Sequence, residues 1–164
     1  MRTAVLDTTY VLPLFGFEVS GGDHEEEKIA RLWEGGVENY RIYLPSACLV
    51  EVLYRFNAVL RRGYSADTAA RYSQVLPTII TSKAVEVHNS FTDPKVAEVA
   101  FRIRALGHGD IFDCLIAGTA LAVGGVFVTR DSALKNVLTN VAPPDLAVDL
   151  VGLDDLLSGH GDAD

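Results

Sequence analysis

Residues 109–131, GDIFDCLIAGTALAVGGVFVTRD, decide how this chain folds. The apolar run that opens at Asp110 is long enough for a buried helix, and Gly124-Gly125 stop it. The following VFVT is a short strand without polar alternation, the pattern of a strand buried on both faces. Carboxylates stand at both ends of the unit: Asp110 and Asp113 at the helix start, and Asp131 where the strand runs out. Between them almost nothing is polar. Acids flanking an apolar unit are costly unless something partners them.

Upstream, residues 3–6 (TAVL) form a first buried strand running into Asp7-Thr8-Thr9. YVLPLFGF (10–17) combines apolar residues with Pro and Gly and reads as a helical turn or packed loop. Gly21-Gly22 then break the chain. Asp23 is placed to cap a helix whose Glu25, Glu26 and Glu27 suit the positive end of its dipole, with Ile29, Leu32 and Trp33 as its apolar stripe. Residues 41–44 (RIYL) form a second strand closed by Pro45. Ser46 is placed to cap a helix over 47–62 that stops at Gly63, and Ser65 opens another over 66–80, which Pro77 should kink or shorten. Residues 84–87 are a third strand, and Asp93-Pro94 start a helix ended by Gly107. Beyond the central unit the pattern predicts a short helix over 132–138, a loop at Pro143-Pro144, a strand over 146–151, a turn over 154–157 and a frayed tail over 159–164. Strands that alternate with helices and carry no polar alternation predict a three-layer α/β/α domain over 1–158, with a central, mostly parallel sheet of four to five strands.

Composition bounds the function. The chain has 164 residues, 49% hydrophobic and 22% charged, as an ordinary globular domain does. No apolar run approaches the roughly 20 residues of a membrane helix, and MRTAVLDTTY lacks a secretory h-region. Cys48 and Cys114 each sit in an apolar run, which predicts free thiols and a reducing, cytoplasmic setting. A net charge of −8 argues against passive nucleic-acid binding. It leaves room for an enzyme that meets phosphates through metal ions held by carboxylates.

The parallel topology predicts where the acids meet. Asp7 and Asp131 directly follow adjacent strands; Glu51 and Asp113 lie near the starts of helices that begin at the same carboxyl edge, where open α/β sheets bind ligands. Each acid has a plainer reading. Asp7 could end a strand, Glu51 could face solvent, and Asp110 and Asp131 are well placed as N-caps. Together, four acids on one rim exceed what capping explains. Clustered carboxylates repel unless a cation is present, and an all-oxygen set favours Mg²⁺ or Mn²⁺. Such a site suits hydrolysis of phosphodiesters. Thr8, Thr9 and Thr129 add hydroxyls beside the acids, although β-propensity alone accounts for Thr129.

VLDTT (Asp7), SACLVEV (Glu51), DCLIAGTAL (Asp113) and VFVTRD (Asp131) resemble, in order and approximate spacing, the motifs of PIN-domain ribonucleases, including the VapC-type toxins. The resemblance spans nearly the whole chain. It implies a metal-dependent endoribonuclease with Asp7, Glu51, Asp113 and Asp131 as catalytic and metal-binding acids and Thr9 as a nearby hydroxyl. It also implies a homodimer and, for a toxin, a small antitoxin partner. Where the family often carries another acid shortly after the TRD aspartate, this chain has Ser132, Ala133 and Leu134. Asp110, one helical turn before Asp113, is the residue placed to compensate. Candidate RNA contacts are Arg55, Arg61, Arg62 and Arg130, for which a solvated helix face is an equal reading. His24 in HEEE does not form a zinc-protease motif.

Three alternatives remain at the level of sequence. One is a housekeeping RNA-processing nuclease. Another is an inactive scaffold of the same fold that serves as a binding module. The third, a metal-dependent phosphatase or nucleotide hydrolase, is disfavoured because D-x-D at the first strand, G-x-x-x-x-G-K-[ST] and G-x-G-x-x-G do not occur.

Overall fold

Hydrogen bonding joins five strands side by side in the computed structural model, which describes residues 1–19, 24–63 and 65–159. They are β1 (Arg2–Leu6), β2 (Tyr40–Pro45), β3 (Val85–His88), β4 (Val126–Val128) and β5 (Leu150–Val151). Their spatial order is β3-β2-β1-β4-β5, and every adjacent pair is parallel. The chain first builds outward from β1 to β2 and β3, then returns to place β4 on the other side of β1. Strand order therefore reverses at the β1–β4 junction, where Leu6 is in register with Val128.

The connecting helices are α1 (Glu25–Gly35), α2 (Ser46–Leu60), α3 (Ala66–Ile80), α4 (Pro94–Ala105), α5 (Ile111–Val123), α6 (Ser132–Asn136) and α7 (Leu153–Ser158). Ala4, Val5, Leu6, Ile42, Leu44, Phe127 and Val128 of the sheet are buried together with Ile116, Ala117 and Ala120 of α5. That helix is apolar on nearly every side because it lies between the sheet and α4. Its contact with α4 depends on Gly118. A Cβ built there would stand 2.8 Å from the Val96 carbonyl oxygen and 3.3 Å from the Ala100 nitrogen. Gly124 ends α5 in the left-handed conformation, φ +65°, which favours glycine.

Several local expectations need correction. Ser46 does not cap α2; Pro45 holds the cap position, and Ser46 Oγ instead accepts a hydrogen bond from the Ser90 backbone N–H at 3.0 Å. The helix ends at Leu60 rather than running on to Gly63. Pro77 does not end α3, which continues to Ile80. Pro77 stands in the last turn, so the helix forfeits one i→i−4 bond, the one to the Ser73 carbonyl, close to its end. The strand expected over 146–151 shrinks to Leu150–Val151, because Pro143-Pro144 feed a 3₁₀ turn, Pro144–Leu146, instead. After α6 the chain widens into a single π turn, Val137–Val141. The stretch 10–17 forms 3₁₀ turns, Thr8–Tyr10 and Leu12–Phe15, against the core. The expected cap at Asp23, and all of the 159–164 tail but Gly159, lie outside the described residues.

Candidate active site

The strand reversal puts the ends of β1 and β4 side by side. Asp7 follows β1 directly, and its backbone N–H donates to the Val128 carbonyl at 3.0 Å, prolonging the ladder by one bond. Its carboxylate is fixed at both oxygens: Oδ1 accepts from the Thr8 N–H at 2.6 Å, and Oδ2 accepts from Thr129 Oγ1 at 2.6 Å. Thr129 Oγ1 in turn accepts from the Asp131 N–H at 3.1 Å. Thr129 is fully buried, and its role is to join two acids rather than simply to favour a strand.

Glu51, in the second turn of α2, reaches the same place. Its Oε2 accepts from Thr8 Oγ1 at 2.5 Å, and its Oε1 accepts from Arg55 Nη2 at 2.8 Å and Nε at 3.1 Å. Thr8, rather than Thr9, is thus the hydroxyl that engages an acid, while Thr9 faces the shared cavity. Asp110 caps α5 by accepting from the Phe112 N–H, and Asp131 caps α6 by accepting from the Leu134 N–H, both at 2.8 Å. Capping occupies one oxygen of each. Both acids still border the cavity, so the capping and site readings hold at once.

Asp7, Glu51, Asp113 and Asp131 all line one cavity of about 410 Å³ at the carboxyl edge of the sheet, with Asp110 on its border. Arg55 and Arg130 also line it. Arg55 is paired with Glu51, and Arg130 Nη1 lies 3.3 Å from Glu25 Oε1. Arg61 and Arg62 follow the end of α2 and are not among the lining residues.

Burial is the largest cause of the shift at Asp7, whose pKa rises to about 6. The Thr129 and Thr8 hydrogen bonds oppose the rise, and the charges of Asp113 and Glu51 add to it. Asp113 is pushed up as well, by burial first and by the charges of Asp110 and Asp131, while its bond to His108 pulls the other way. Burial, reinforced by neighbouring carboxylates, thus penalises the charged forms of Asp7 and Asp113 more than their hydrogen bonds offset. Converging carboxylate oxygens under that penalty are a donor set fitted to a divalent cation.

Two contributors escape a reading of the sequence. His108 is 6% exposed, and its Nε2 stands 2.8 Å from Asp113 Oδ2. Glu18 reaches the cavity from the loop before α1. For His108 the available signal is its place in GHGD, immediately ahead of the α5 cap. For Glu18 there is none, since an acid in a loop marks nothing by itself.

The family model described as PIN, the PIN domain, matches residues 4–138, and the protein belongs to that family, generally one of nucleases. The fold is similar to a chain in the crystal structure of VapBC2 from Rickettsia felis bound to a DNA fragment from their promoter. That match has 18% identity and a TM-score of 0.61, covering 92% of this chain and 98% of the other. It is also similar to FitAcB from Neisseria gonorrhoeae, with 17% identity, a TM-score of 0.57 and coverage of 94% and 100%. VapBC-1 from nontypeable Haemophilus influenzae matches with 14% identity, a TM-score of 0.56 and coverage of 94% and 99%. No curated protein gives a significant match to the sequence. No helix among the described residues is long and apolar enough to cross a membrane.

Proposed function

We propose that this protein is a Mg²⁺- or Mn²⁺-dependent endoribonuclease and the toxin component of a toxin–antitoxin pair. The observation that carries the reading is the convergence of Asp7, Glu51, Asp113 and Asp131, from four separate segments, on one cavity of a PIN-family chain. Membership of two-component complexes such as VapBC2 and FitAcB among the similar folds supports an antitoxin partner for this chain. RNA is the substrate, the cytoplasm the compartment and a homodimer the expected assembly.

Asp7, Asp113 and Asp131 would hold the ion, with Glu51 beside them. Bound there, a divalent ion would supply activation of water and neutralisation of charge at the scissile phosphate. The chain's own residues do the positioning. Thr8 and Thr129 lock the Asp7 carboxylate so that it does not rotate away when the cavity fills. Thr8 and Arg55 hold Glu51 at both oxygens, leaving it aimed at the cavity as a proton acceptor. Arg130, at the rim, offers a guanidinium to a phosphate flanking the reacting one.

The test is cleavage of a panel of structured RNAs by the purified protein with and without Mn²⁺ or Mg²⁺, alongside Asp7→Asn and Asp113→Asn. Cleavage should require the metal and vanish in both variants. RNA left intact under every metal condition, with wild type and variants alike, overturns the assignment.

A further inference from the structure

We infer that His108 is a nitrogen ligand of the metal centre and that it biases the centre toward Mn²⁺ over Mg²⁺. The inference rests on the metal-dependent reading of the cavity and adds a residue and a selectivity to it.

The loop between α4 and α5 is built to present this ring. Gly107 adopts φ +104°, which favours glycine, and turns the chain after α4. Arg104 Nη1 donates to the His108 carbonyl at 2.6 Å and ties the loop back to α4. The imidazole is thereby driven inward and almost fully buried, although it sits between two loop glycines. Its Nε2 meets Asp113 Oδ2 at 2.8 Å. One donor atom each from His108, Asp113 and Asp131 lie within 4.8 Å of one another.

Those distances suit a shared ion. Donors about 2.1 Å from a metal are about 3.0 Å apart when adjacent and about 4.2 Å apart when opposite. A separation of up to 4.8 Å reaches slightly beyond that span, so the three side chains would draw together around a bound ion. They also have lone pairs to give. Asp131 uses Oδ1 to cap α6 and Asp113 uses Oδ2 toward His108, so each keeps an oxygen that accepts no hydrogen bond from the described residues. Asp7, whose two oxygens each accept one hydrogen bond, keeps a second lone pair on each for the same ion. The residues after Asp131 are Ser132, Ala133 and Leu134, so no further acid follows on this side. An imidazole beside Asp113 adds a donor without adding negative charge to the cluster of acids.

The selectivity follows from donor chemistry. Mg²⁺ takes oxygen ligands and keeps its waters, whereas imidazole suits later first-row ions, and Mn²⁺ accepts both donor types. A hydrogen bond alone would let His108 orient Asp113 without choosing between the two ions.

The experiment uses the full chain loaded with Mn²⁺, read by pulsed electron paramagnetic resonance for coupling to nitrogen. Coordinated imidazole gives a ¹⁴N modulation, and ¹⁵N-histidine labelling of the wild-type protein should change its pattern. His24 pairs with Glu27, His88 lies on β3 and His160 falls outside the described residues, so His160→Asn is read alongside and should keep the modulation. His108→Asn should abolish the modulation and weaken Mn²⁺ binding by about tenfold or more, with a smaller effect on Mg²⁺. Tight Mn²⁺ binding without nitrogen modulation in the wild type overturns the inference and leaves the metal-dependent reading standing. Failure of the wild type to bind Mn²⁺ overturns both. The labelled spectrum of His160→Asn decides the matter even where His108→Asn does not fold: retained modulation supports His108, and its loss overturns the inference.

Discussion

Thr129 Oγ1 donates to Asp7 Oδ2 at 2.6 Å, a bond that spans 122 positions of sequence and joins the ends of β1 and β4. The same oxygen accepts from the Asp131 N–H, so one buried hydroxyl sets two of the four acids. Thr129→Val keeps the shape of the side chain and removes both bonds. Leaving buried polar partners unmet costs about 1–3 kcal/mol. Urea unfolding of metal-free protein should show that loss, and metal affinity should fall with it. Thr129→Ser, which restores the hydroxyl, should recover most of both.

Asp7 is an acid whose folded-state pKa, about 6, lies above the ordinary value of 3.8. The folded state therefore binds its proton more tightly than the unfolded chain does. Its ionisation destabilises the metal-free protein fully above pH 6, and the penalty fades as pH falls from 6 toward 4. Asp7→Asn, whose amide can donate to Thr129 and whose oxygen can accept from Thr8, removes the penalty. Metal-free Asp7→Asn should melt higher than wild type at pH 7.5, and the gap should shrink by pH 5. An equal gap at both values would show that ionisation of Asp7 carries no such cost.

Arg55 holds Glu51 from a half-exposed position on α2. Exposed ion pairs contribute at most about 1 kcal/mol to stability. Arg55→Ala should therefore leave chemical denaturation within about 0.5 kcal/mol of wild type. Glu51 loses one of its two anchors, however, and RNA cleavage should drop several-fold. A variant equally active and equally stable would remove Arg55 from the site.

Gly118 lets α5 approach α4 more closely than any side chain permits, with the Val96 carbonyl oxygen only 2.8 Å from where a Cβ would stand. Gly118→Ala raises helix propensity yet forces the two helices apart. Overpacking of this kind costs about 1–3 kcal/mol. A lower melting temperature is expected, and a higher one would mean that the helix pair relaxes freely.

The sequence carried the topology because three glycine and proline signals fell at true element ends: Pro45, Pro94 and Gly124. The convergence of Asp7, Glu51, Asp113 and Asp131 also followed from strand order alone, since it needs only the carboxyl edge and not any side-chain direction. What the sequence concealed were choices between equivalent partners. Thr8 and Thr9 are adjacent hydroxyls, and only the 3₁₀ turn after Asp7 decides that Thr8 faces Glu51. Ser46 had the composition of a cap, but Ser90, distant in sequence, claims its oxygen. His108 was hidden for a related reason, because its partner Asp113 lies across a loop whose path depends on Arg104 and the glycine turn.

β4 reaches its place between β1 and β5 only after the chain has laid down β1, β2 and β3. A polypeptide still emerging from the ribosome therefore carries Asp7 and Glu51 for the length of some eighty further residues before Asp131 arrives. During that interval Asp7 has no Thr129 to anchor it and no β4 beside it. A fragment released before β4 is complete lacks both Asp131 and the hydroxyl that fixes Asp7, so its set of acids is never assembled.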